Sequence, residues 1–113
     1  MTEKDVFEIV KAVVEEWAWL VGLCGSGFPD DAFNREVNEI TPTAFQSNCV
    51  NELTDKVHET FVKSFSKHVG ADTYTSQKQA REVAEIIDKG KAAFLRGEWN
   101  EDWVMKMFWK EKT

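Results

Sequence analysis

ITPTAFQSNCVNELTDKVHETFVKSF, residues 40–65, decides the fold class. At about 100° per residue, Val50, Leu53, Val57, Phe61 and Phe65 fall on one stripe, the signature of a helix with one buried side. On the opposite face Glu52 precedes Lys56 and Glu59 precedes Lys63, each in the favourable i, i+4 order. Thr41 followed by Pro42 reads as a cap with proline at the first helical position. The spacing therefore predicts a long helix over 42–69, closed by Lys67, His68 and Gly70.

The flanking segments repeat this grammar. Thr2 with Asp5 resembles a capping box and opens a helix over about 3–23, ended by Gly25. Its core stripe is Val6, Val10, Val13, Trp17, Leu20 and Cys24, and Lys4, Glu8, Lys11 and Glu15 form a polar row on the far side. The loop GSGFP leads to Asp30 or Asp31 as the cap of a short helix over about 31–40, where Phe33, Val37 and Ile40 share a face. Ser76, with Gln79 completing a box, starts a helix over 77–96 that stops before Gly97. Ala80, Val83, Ala84, Ile87 and Phe94 line its apolar side, with Gly90 beside the stripe as either a point of close helix contact or an early end of the helix, and Lys91 intruding on it. Asn100 caps a last helix over 101–111. No segment alternates as a strand does, so the expected fold is all-α, a compact single-domain bundle of about five helices spanning residues 1–113.

Composition removes several classes of function. With 42% apolar residues and fourteen aromatics the chain has ample surface to bury, which argues against disorder. Fourteen Lys and Arg against twenty Asp and Glu give a net charge of −6, and the cations are scattered, so no concentrated phosphate-binding footprint exists. No direct nucleic-acid partner is expected. The longest apolar run, Trp17 to Cys24, is eight residues, against roughly 20 for a membrane span. Nor does the start of the chain carry a basic segment leading into an apolar one, so a cytoplasmic protein with no membrane partner is expected. Cys24 and Cys49 stand alone and read as buried free thiols.

Catalytic chemistry has one pattern to offer. Glu36-x-x-Glu39 followed by Glu52-x-x-Asp55 resembles the ExxE, ExxD signature of the all-helical nucleotide pyrophosphohydrolases of the MazG and dUTPase type. The resemblance implies four carboxylates holding magnesium for nucleotide hydrolysis. A break at Thr41-Pro42 would place Glu52 ten residues into the next helix, about 15 Å along its axis, and so keep the two pairs apart. The glycines of GLCGSGF follow a helix instead of preceding one, and Asp30 and Asp31 would repel an anion at the next helix start. His58 and His68 stand ten apart without a neighbouring ligand type, and no nucleophile is grouped with a base. No catalytic, cofactor-binding or metal-binding residue is assigned.

Apolar surplus points elsewhere. EWNEDWVMKMFW, residues 98–109, contains three tryptophans, and Trp103, Val104, Met107 and Phe108 are enough to dock a short helix on its own domain. Met105 and Trp109 point the other way, and Trp19 interrupts the polar row of the first helix with Leu23 beside it. Trp17, Trp103 and Phe61 are expected in the core. Trp19, Leu23, Phe28, Met105 and Trp109 are the candidate partner-binding residues, because interfaces are enriched in Trp and Met. The functional expectation is a non-enzymatic protein–protein interaction module without a cofactor. It is similar in type to the inhibitor and immunity proteins of phages and mobile elements, which block a basic partner surface. A homodimer or other homo-oligomer is the alternative occupant of that surface, and the magnesium-dependent hydrolase is the second alternative.

Overall fold

The computed structural model describes residues 1–22, 33–66 and 75–109. It contains five helices: α1 (Glu3–Leu20), α2 (Asn34–Gln46), α3 (Val50–Phe65), α4 (Gln77–Leu95) and α5 (Glu101–Trp109). There is no strand among the described residues. Helices α1 to α4 form a closed ring of contacts, α1 on α2, α2 on α3, α3 on α4 and α4 on α1, while α5 lies mainly on α1 and touches α4. The all-α bundle expected from periodicity is therefore the observed architecture.

One core fills the ring. Trp17 is fully buried, stacked on Phe61 with ring centroids 4.4 Å apart, and its indole Nε1 donates to Gln79 Oε1 at 2.9 Å. Phe65 packs on both rings. The α3 stripe is as expected, with Leu53, Val57, Phe61 and Phe65 buried and Val50 packed at its edge. Helix α1 buries a wider arc than one stripe, because Ile9, Val14 and Ala18 also disappear from solvent. It has α2, α4 and α5 on different sides, so a single apolar seam would not suffice.

Helix ends test the local rules. Thr2 and Asp5 form the reciprocal capping box, Thr2 N donating to Asp5 Oδ2 at 2.9 Å and Asp5 N to Thr2 Oγ1 at 3.2 Å. These bonds, that from the Thr2 backbone first, hold the Asp5 carboxyl below its usual value. Asn100 Oδ1 accepts from Trp103 N at 2.8 Å, as a cap should. After α4, Gly97 takes φ +76°, and the Glu98 and Gly97 amides donate back to the Ala93 and Phe94 carbonyls, a complete Schellman motif. Ser76 caps α4 through Gln79 N, but the Gln79 side chain serves Trp17 instead of returning to Ser76, so only half of the expected box forms.

Four boundaries differ from the sequence expectation, the plainest being the end of α3 at Phe65 with Ser66 as its cap instead of at 69; the expected closing residues Lys67, His68 and Gly70 lie outside the described residues. Helix α1 ends at Leu20, not Leu23, because Gly22 already adopts φ +79° directly after the Val21 cap. Helix α2 begins at Asn34 behind Phe33; the expected caps Asp30 and Asp31, like Gly25 and Cys24, lie outside the described residues. The largest correction is at Pro42, which stands inside α2 and does not start α3. Its ring removes one donor from the turn above Asn38, and both residues are exposed, so the carbonyl left over lies on the solvent side of the helix. Continuing the helix buries Thr41 and Ala44, and Thr41 Oγ1 donates to Val37 O at 2.7 Å. The true corner is Ser47-Asn48-Cys49, where Ser47 Oγ accepts from Cys49 N and donates to Glu52 Oε2 at 2.9 Å.

Lys91 explains how that corner is held. The side chain that intruded on the α4 stripe is buried, and its ammonium donates to the carbonyls of Ala44 at 2.6 Å and Ser47 at 3.2 Å. These are carbonyls at the end of α2 that lack helical donors, at the negative end of the helix dipole. Cys49, expected to be buried, is an exposed free thiol at the corner between α2 and α3. The ion pairs of α3 also differ: Lys56 meets Glu59 at 3.8 Å, and Lys63 reaches across to Glu39 of α2 at 3.4 Å. Glu52 is taken by Ser47, which leaves Lys56 to its other neighbour.

Candidate interaction surface

Helix α5 is seated by shape at one end and by a hydrogen bond at the other. Gly90 of α4 supplies the seat: a β-carbon there would come within 3.0 Å of Ile9 Cγ2 and Trp99 Cζ3 and 3.5 Å of Trp103 Cζ3. Of the two readings of Gly90, a close contact and an early helix end, the first holds, and α4 runs through it to Leu95. Trp99 and Trp103, ring centroids 5.4 Å apart, pack over this notch and remain half-buried. Trp103 is a correction to the expected core assignment, since it closes the edge of the core and leaves its filling to Val104 and Phe108. At the far end Trp109 Nε1 donates to Glu16 Oε1 at 2.8 Å. With Trp103 beside Ile9 and Trp109 beside Glu16, α5 runs along α1 in the same sense.

This seating sorts the α5 side chains by angle. Val104 and Phe108 are buried, Trp103 and Met107 line the edge, and Asp102, Met105, Lys106 and Trp109 face water. Met105 is 51% exposed and Trp109 44%, one turn apart on the same strip. Trp19, 60% exposed, stands three residues beyond Glu16, to which Trp109 is bonded, so the three apolar side chains gather at one edge of the α1–α5 pair. Leu23 and Phe28, also singled out by sequence, lie outside the described residues.

The charge around this edge is mixed. Lys11 pairs with Glu15 at 4.0 Å, Glu16 is engaged by Trp109, and Asp102 and Lys106 flank Met105 with opposite signs. Sequence reasoning missed Glu16, Asp102 and Lys106 as members of the surface. A helical wheel of α5 alone would have placed the last two beside Met105; Glu16 needed the docking of a helix 93 residues away in the chain.

The carboxylates of the ExxE, ExxD pattern are dispersed in use. Glu36 is buried in the first turn of α2, Glu39 is paired with Arg35 and Lys63, Glu52 with Ser47, and Asp55 is exposed. The reason differs from that expected, since α2 runs on to Gln46 and Glu52 lies in the first turn of α3. Among the described residues no three His, Cys, Asp or Glu side chains converge closely enough to hold a metal ion. A groove of about 250 Å³ runs along α4 from Lys78 to Lys89, bounded by Met107, and its charged lining is mixed, with Lys78, Arg81 and Lys89 beside Glu82 and Glu85. No described helix is long and apolar enough to cross a membrane. Compared with protein-family models, with curated proteins and with solved structures, the chain gives no match.

Proposed function

We propose that this protein is a non-enzymatic protein–protein interaction module whose docking surface is the α1–α5 edge carrying Trp19, Met105 and Trp109. The observation that supports this reading is their exposure together at one edge: the bundle closes on Trp17, Phe61, Val104 and Phe108 and leaves these three large side chains in water side by side, whereas the exposed Phe45, Val62 and Leu95 stand on three other helices. Tryptophan and methionine in such a position are the residue types that carry binding energy when a partner covers them. An inhibitor- or immunity-type role, covering a basic target, would use the −6 net charge for steering. The balance of sign around the patch itself supports a partner whose rim carries both charges.

The test compares the wild-type chain with the triple variant Trp19→Ala, Met105→Ala, Trp109→Ala, both produced in the native host and cross-linked in place. The expected result is a cross-linked species, its own chain included, that the wild type forms and the variant loses while circular dichroism shows its helical fold retained, although the variant gives up the Trp109–Glu16 hydrogen bond. Identical cross-linking by the two chains removes the reading.

A further inference from the structure

We infer that the α1–α5 edge pairs with a second copy of itself, making a twofold dimer with Met105 near its axis. The inference rests on the interaction-module reading and names its partner. A twofold contact is isologous, so each patch must complement itself, and a patch of one sign cannot. The exposed strip of α5 meets this condition. Asp102 and Lys106 stand one turn apart on either side of Met105, both exposed, and neither has an ion-pair partner among the described residues. When two such strips meet antiparallel about a twofold beside Met105, Asp102 of each copy lies opposite Lys106 of the other. The apolar neighbours Trp109 and Trp19 then close over the axis from both sides.

Charge at long range opposes this pairing only weakly. Two chains of −6 repel, but at physiological ionic strength that repulsion is screened beyond about 8 Å, whereas charges in contact across the dimer are not. The surface is of suitable kind for reversible association. Taking about 150–250 Å² as the full area of a tryptophan, Trp19 at 60% and Trp109 at 44% leave about 150–260 Å² of aromatic surface in water. That is about a quarter of the roughly 800 Å² that each side of a standard interface buries, enough for its apolar centre. The polar remainder is the rim to which Asp102, Lys106, Lys11 and Glu15 belong.

Sedimentation equilibrium of the whole chain from low micromolar to near-millimolar concentration reads the result directly. The expected outcome is a reversible shift from the 13.0 kDa monomer towards twice that mass. The triple variant Trp19→Ala, Met105→Ala, Trp109→Ala should weaken the dimer at least about thirtyfold. The charge arrangement is tested by D102K and K106D. Each variant alone places like charges across the axis and should lower self-association about tenfold, and an equimolar mixture should restore it, because each copy then complements the other. These substitutions lie on an exposed face, and circular dichroism checks that the fold is intact. A chain that stays monomeric throughout overturns the self-pairing while leaving the cross-linking test of the interaction reading to decide on other partners. A dimer that the triple variant forms equally well uses another surface and overturns the self-pairing of this edge, again leaving other partners to the cross-linking test. A dimer lost in the triple variant but not rescued by mixing D102K with K106D overturns the twofold register.

Discussion

Trp17 and Trp19 are two positions apart on the same helix and have opposite fates. Trp17 is fully buried, stacked on Phe61 and hydrogen-bonded to Gln79, whereas Trp19 is 60% exposed with no ring contact among the described residues. Two residues turn a helix by about 200°, so the inner tryptophan closes the ring of α1 to α4 while the outer one extends the surface begun by Met105 and Trp109. Similar side chains therefore fill the core in one place and stand in solvent in the other, where the proposed docking surface would use them. The face on which a side chain lies decides between these roles, and hydrophobicity alone does not.

The sharpest way to break this contrast is to truncate both rings. Trp17→Ala removes a core ring with its stacking and its indole hydrogen bond, and should cost about 3–5 kcal/mol in chemical denaturation. Trp19→Ala should change stability by no more than about 0.5 kcal/mol. Comparable losses in the two variants would mean that the outer face belongs to the core. Next in size is Lys91→Met, which keeps the apolar stem but leaves the Ala44 and Ser47 carbonyls without their donor, an expected loss of about 1–3 kcal/mol. Hydrogen exchange should then accelerate first in the last turn of α2.

Gly90→Ala sharpens the comparison at the seat of α5. Alanine favours the helix by up to about 1 kcal/mol, but its methyl would meet the fully buried Ile9 and the Trp99 ring at 3.0 Å each, so both must shift to admit it. A net loss of about 1 kcal/mol is expected, with a shift of tryptophan emission as α5 lifts; a stabilised variant with unchanged emission would contradict the tight seat. The smallest effect belongs to the capping box. Because the folded Asp5 carboxyl lies below its ordinary 3.8, its contribution is present above that pH and fades as pH falls through the lowered folded value. Asp5→Asn should therefore be less stable than wild type at neutral pH, and the two melting curves should converge in strong acid.

How much of this was legible in the sequence follows from the range of the forces involved. The α3 stripe, the Thr2, Ser76 and Asn100 caps and the Gly97 stop depend on residues within a turn or two, and each stands where the pattern placed it. The Pro42 boundary was misread because a local preference for starting a helix competed with distant gains: burial of Ala44 and a donor from Lys91, 47 residues away. Three members of the candidate surface were visible as apolar residues out of phase with their helices. Glu16 was not, since its bond to Trp109 exists only once α5 lies along α1.

By itself, then, the sequence determined five helices and the main apolar stripe of each, because periodicity and capping are local consequences of backbone geometry. Only the tertiary structure decided where α2 ends, which tryptophan of the last helix closes the core, and that Trp19, Met105 and Trp109 share one edge. Those outcomes depend on close packing at Gly90 and on hydrogen bonds between residues distant in sequence, and neither exists until the helices meet.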